Sequence, residues 1–97
     1  MATNEHGREI YSDLAIHPGE ILEEELEARG MTQKALAAAM RRPPQVVNEI
    51  VRGKKGITAE TALELERVLG SSARLWMNLQ TTYALTLAHN AGKQRAG

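Results

Sequence analysis

The sequence predicts an all-α fold, a compact bundle of five short helices. Three observations predict it. Every strong apolar segment has the three- and four-residue spacing of a helix, and the segment boundaries carry residues suited to helix ends. A chain of 97 residues, 42% of them hydrophobic, fits one small domain with a modest core.

The first helix is expected from Pro18 to about Arg29. Proline is tolerated at a first helical position, glutamates near the start suit the helix dipole, and Gly30 closes the end in a left-handed conformation. Ile21, Leu22 and Leu26 form its inner side. The second helix starts at Thr32, whose hydroxyl caps free amides, with Met31 and Leu36 placed as a hydrophobic staple. Leu36, Ala37 and Met40 face inward. In AMRRPPQVVNEIVRG, positions 39–53, Pro44 is the first residue of a third helix, where its fixed φ fits and no amide partner is lost. Each proline pushes the residue before it toward extended backbone, so the second helix stops by Met40 or Arg41 and the chain turns sharply. The result is a helix, a tight turn and a second helix.

On the third helix Val47, Ile50 and Val51 point inward, whereas Gln45, Asn48, Glu49 and Arg52 share the opposite side. Gly53 closes it, and Lys54 and Lys55 follow. A fourth helix spans Ala59 to Leu69 between the cap Thr58 and Gly70, with Ala62, Leu65, Val68 and Leu69 inward. A fifth begins after Ser71 or Ser72 and runs to about Ala88. Residues 16–88 thus form the domain, with 1–15 an N-terminal extension and 89–97 a flexible C-terminal tail.

Composition bounds the function. Without cysteine there are no disulfides or thiolate metal sites, no apolar run reaches a membrane span, and the N-terminus lacks the pattern of a signal peptide. A cytoplasmic protein is expected, with no membrane partner. The net charge of zero hides segregation: residues 1–30 hold eight acidic side chains against Arg8 and Arg29, whereas 31–57 hold six basic ones against Glu49. Fields are screened beyond about 8 to 10 Å in physiological salt, so a local basic block attracts a polyanion even in a neutral chain.

That block surrounds the outer face of the third helix. A major groove roughly 12 Å wide admits one helix, and its base edges are read by Arg on guanine and by Asn or Gln on adenine. Gln45, Asn48 and Arg52 supply those groups. Arg42, Lys54 and Lys55 bracket them as contacts to the phosphate backbone, and Glu49 either accepts from cytosine or pairs with Arg52 or Arg42. The plain alternative is a solvated helix face. The short preceding helix, the tight turn and the flanking basic residues favour DNA.

At this point the chain resembles a known family. MTQKALAAAM, PPQVVNEIVRGKKGITAETALELERVLG and WMNLQTTYAL, with HPGEIL at positions 17–22, are similar to the HigA (VapI-like) antitoxins, small Xre/Cro-type helix-turn-helix proteins. The resemblance covers about Ile16 to Leu87. It implies a five-helix bundle of the lambda-repressor-like type, dimerisation, repression of its own operon from double-stranded operator DNA, and neutralisation of a HigB-type ribonuclease toxin. It also implies that Thr32 and Gln33 lie at the DNA, Gln33 on phosphate, and that Pro44, Gln45, Val46, Asn48 and Arg52 face the groove. Two departures stand out. Arg41 occupies a turn position where the family usually has glycine, so a positive φ is expected there at about 1 kcal/mol. Val46 stands where a basic residue is common, and a thymine methyl is its natural partner.

Helix-turn-helix proteins generally bind palindromes as dimers. The fifth helix is apolar on several sides, more than one small core covers. Trp76 and Leu79 are assigned to the core, and Tyr83, Leu85 and Leu87 to a homodimer interface. In the acidic run EILEEELEA, Glu23, Glu24 and Glu27 are candidates to meet the basic toxin, against the plain reading of a solvated acidic face. His6, His17 and His89 lack metal-ligand spacing, His17 reading as a cap or surface residue, and nothing resembles a nucleophile or a phosphate loop. No catalytic site, metal or cofactor is expected. A stand-alone repressor without a toxin, or an interaction module that has lost DNA binding, are the other readings.

Overall fold

Prolines, threonine caps and left-handed residues divide the chain into its helices. The computed structural model describes residues 14–96, with side chains through Gly92. Within them run α1 (Pro18–Arg29), α2 (Gln33–Met40), α3 (Pro44–Val51), α4 (Ala59–Leu69) and α5 (Ala73–Ala96). Residues 1–13 of the expected N-terminal extension lie outside the described part.

The caps follow the residue chemistry. Thr32 Oγ1 accepts from the Ala35 amide at 3.0 Å and Thr58 Oγ1 from the Thr61 amide at 3.2 Å, each satisfying a donor that the helix itself leaves free. Gly30 and Gly70 close α1 and α4 at φ 64° and 85°. His17 caps α1: its Nδ1 accepts from the Gly19 amide at 2.8 Å. It is a buried cap, not a surface residue, and the edge of its ring meets Tyr83 with centroids 4.8 Å apart.

One core joins all five helices. Leu22 and Leu26, Leu36, Ala37 and Met40, Val47 and Ile50, Ala62, Leu65 and Leu69, and Trp76 are buried together. The helical spacing identifies every one of these. Ile21, Val51, Val68 and Leu79, also expected inside, are half-buried at its margin. Ile57 completes the core from the loop ahead of α4, a position that helix periodicity does not address. Its amide donates to Gln80 Oε1 at 2.7 Å, which ties that loop to α5.

The fifth helix departs most from expectation. It continues past Ala88 to Ala96, so the stretch expected as a tail is helical. Its apolar stripe fades near Leu87, but Ala88, Ala91, Lys93 and Gln94 favour helix and no proline stops the backbone. At 1.5 Å per residue α5 is about 36 Å long. It packs against α4 and α1. No helix among the described residues is long and apolar enough to cross a membrane.

Candidate nucleic-acid interface

The turn between α2 and α3 is built by three residues. Arg41 adopts φ 61° and ψ 42°, the left-handed conformation expected there, and its amide donates to Ala38 O at 3.1 Å. The Arg42 amide then reaches Ala37 O at 2.9 Å, so the last carbonyls of α2 are satisfied by a doubly bonded cap. Pro43 is extended at φ −61° and ψ 146°, and Pro44 begins α3. An L-residue in the left-handed region carries a conformational cost that glycine escapes, and the Arg41 side chain is exposed. Arg41→Gly is therefore expected to stabilise the fold by up to about 1 kcal/mol, less whatever the freer unfolded chain takes back. Urea unfolding measures it; a lower midpoint would mean that the Arg41 side chain contributes more than its backbone costs.

The outer face of α3 is open. Gln45, Asn48 and Arg52 are exposed on it, with Pro44 beside them, while Val47 and Ile50 on the opposite side lie in the core. Val46 is half-buried against the core at the edge of that face. The N-terminus of α2 approaches the same face: Asn48 Nδ2 donates to Gln33 Oε1 at 3.1 Å. Thr32 is exposed next to it, its hydroxyl engaged in the cap. Because the amide pair fixes both side chains, Asn48 Oδ1 and Gln33 Nε2 keep free hydrogen-bonding capacity for a base edge and a phosphate.

The charges sort into two groups. Arg52 and Lys54 are exposed, and their side chains have no ion pair or hydrogen bond among the described residues. Lys55 Nζ lies 3.4 Å from Glu49 Oε1, and Gln45 Nε2 donates to Glu49 Oε2 at 3.1 Å. Glu49 thus pairs with Lys55 and Gln45 instead of Arg52 or Arg42. Arg42 is tied elsewhere. Its guanidinium forks onto Glu64 of α4, with Nε to Oε1 at 3.0 Å and Nη2 to Oε2 at 2.7 Å, and Nη2 also meets Glu60 Oε1 at 3.0 Å. Hydrogen bonding to Glu64, then to Glu60, raises its pKa above the usual arginine range and keeps it charged. The Lys55 contact of Glu49 and the Glu60 and Glu64 contacts of Arg42 join residues that no helical spacing pairs, whereas Gln45 and Glu49 stand one helical turn apart.

The remaining candidates lie away from this face. On α5, Leu85 and Leu87 are exposed by 52% and 46%, whereas Tyr83 is half-buried against His17. On α1, Glu23, Glu24 and Glu27 are all exposed, and Glu25 is engaged by Arg29 Nη2 at 3.0 Å.

Known proteins share this arrangement. The helix-turn-helix family matches residues 22–76. Virulence-associated protein I of Dichelobacter nodosus is 53% identical over 75 residues, which cover 76% of this chain and 69% of that protein. Antitoxin HigA-1 of Vibrio cholerae is 35% identical over 79 residues, covering 80% and 74% of the two chains. The Pseudomonas aeruginosa antitoxin HigA, solved with the higBA promoter, superposes with a TM-score of 0.80 at 42% identity, over 86% of this chain and 91% of that one. With its two-helix turn, its open polar α3 and these relatives, the chain belongs to the HigA (VapI-like) antitoxin family of Xre/Cro-type helix-turn-helix proteins.

Proposed function

We propose that this protein is a cytoplasmic antitoxin that binds operator DNA as a homodimer, represses its own operon and neutralises a HigB-type mRNA-cleaving toxin. One observation carries the reading: Gln45 and Asn48 on α3 and Arg52 at its C-cap stand exposed in a row, while the helix is anchored in the core by Val47 and Ile50. A rigidly held helix with amide and guanidinium tips outward suits base edges in a major groove. Arg52 is the candidate for guanine, Asn48 for adenine, and Gln45 for adenine once Glu49 releases it. Thr32, Gln33, Lys54 and Lys55 are the candidates for phosphate, where they fix register without reading sequence. The exposed leucines of α5 are the proposed dimer surface, and two copies would reach half-sites roughly 34 Å apart. Glu23, Glu24 and Glu27 are the proposed toxin contacts.

Mobility shift on the gene's own promoter tests the central part. Arg52→Ala is expected to weaken operator binding by about 1 to 3 kcal/mol, or roughly 5- to 150-fold. Unchanged affinity would remove Arg52 from the reading face. Lys54→Gln acts differently, because a phosphate contact releases counterions: the slope of log K against log salt should become shallower by about 0.9. For the toxin, reversing charge at Glu23, Glu24 and Glu27 should weaken capture and spare operator binding; undiminished capture would return that face to plain solvation.

A further inference from the structure

The turn arginine is the one basic residue beside α3 that is held by two carboxylates. Arg42, Glu60 and Glu64 together carry a net charge of −1, and Glu60 and Glu64 stand one turn apart on α4. A phosphate approaching this cluster would be a third anion competing for one cation. Moving Arg42 to it would leave Glu64, only 19% exposed at its side chain, without its fork and next to the DNA backbone. The fork also spans elements. Arg42 lies in the turn that leads into α3, and Glu64 lies on α4, which packs against α2. Arg67 makes a second tie on the same side, Nη2 donating to Ala39 O at the end of α2 at 3.1 Å.

We propose that Arg42 is a positioning residue and not a phosphate contact: its fork onto Glu64 and Glu60 fixes the turn on α4 and so sets the angle at which α3 is presented to DNA. This deepens the DNA-binding reading above and rests on it. Base recognition depends on that angle, because bidentate contacts are geometrically strict, whereas non-specific binding depends on phosphate contacts alone. The fork therefore governs the ratio of operator to non-operator affinity and leaves the salt dependence untouched.

The test measures binding of the full chain to its own promoter and to an unrelated duplex across a salt series, with Arg42→Gln, Glu64→Gln and Lys54→Gln beside the wild type. Lys54→Gln reports whether the chain engages DNA through its basic residues at all, so its failure would count against the DNA-binding reading itself. For Arg42→Gln the expected result is a fall of about tenfold in the ratio of operator to non-operator affinity, with an unchanged salt slope. Glu64→Gln should lower the same ratio, since it breaks the fork from the other side while keeping the arginine, and it serves alone if Arg42→Gln does not fold. An unchanged ratio with a slope shallower by about 0.9 in Arg42→Gln would make Arg42 a phosphate contact and overturn the proposal. Unchanged ratio and slope in folded variants would reduce the fork to a support of stability, and would overturn it equally.

Discussion

Gly19→Ala is expected to cost about 3 kcal/mol or more of stability, a large share of what a domain of this size has. A Cβ placed on Gly19 would lie 1.9 Å from the carbonyl oxygen of Ile50 and 2.8 Å from its carbon. Both are backbone atoms, so no side chain can swing aside. Either α1 must move away from the end of α3 or α3 must shift, and each opens the core around Leu22, Val47 and Ile50. The same contact has a functional side. The start of α1 holds the C-terminal end of the helix that carries Arg52, and His17, which caps α1, lies within 4 Å of where a Cβ on Gly53 would sit. Denaturant unfolding followed by circular dichroism measures the loss. A variant within about 0.5 kcal/mol of wild type, in the range of ordinary surface substitutions, would mean that α1 does not abut α3 this closely.

Trp76→Ala is expected to cost about 3 to 5 kcal/mol, the range for truncating a large buried aromatic side chain. Trp76 is 1% exposed and is the largest of the fully buried side chains. It joins α5 to the cluster formed by α1 to α4, and the chain has few aromatic residues with which to compensate. Dimerisation and DNA binding should weaken together, since α5 would lose its seat while its exposed leucines remain. The unfolding midpoint and the solution mass at micromolar concentration are the measurements. Little loss of stability would place Trp76 at a surface and reopen the assignment of core and interface on α5.

These two predictions differ in how far the sequence reveals them. Trp76 is legible as part of an apolar stripe with Leu79, Tyr83 and Leu87, which helical spacing does not itself divide into core and interface. The outer face of α3 is legible too, because Gln45, Asn48, Glu49 and Arg52 recur with helical period opposite Val47 and Ile50. The left-handed Arg41 follows from the resemblance to a family that prefers glycine there. Gly19 is different: close approach of one backbone to another leaves no periodic trace, and a glycine at the second position of a helix looks merely permissive. The Arg42 fork is hidden for a related reason, since Glu64 lies 22 residues away and is brought into reach only when α4 packs against α2. The length of α5 shows the opposite limit. Its apolar stripe ends near Leu87, but each residue added to an existing helix gains one more backbone hydrogen bond, so reading the stripe alone places the end too early.

Sequence reading, as proposed, requires the guanidinium tip of Arg52 to touch a base edge. Replacing operator guanines one at a time with 7-deazaguanine removes the N7 acceptor of a bidentate arginine contact and leaves the phosphates unchanged. Measured with wild type and with Arg52→Ala, the series forms a double-mutant cycle across the interface. At one guanine in each half-site the substitution should weaken wild-type binding by about tenfold and leave Arg52→Ala binding unaffected. If every substituted guanine costs the two proteins equally, Arg52 reads no guanine N7, which contradicts the role proposed for it.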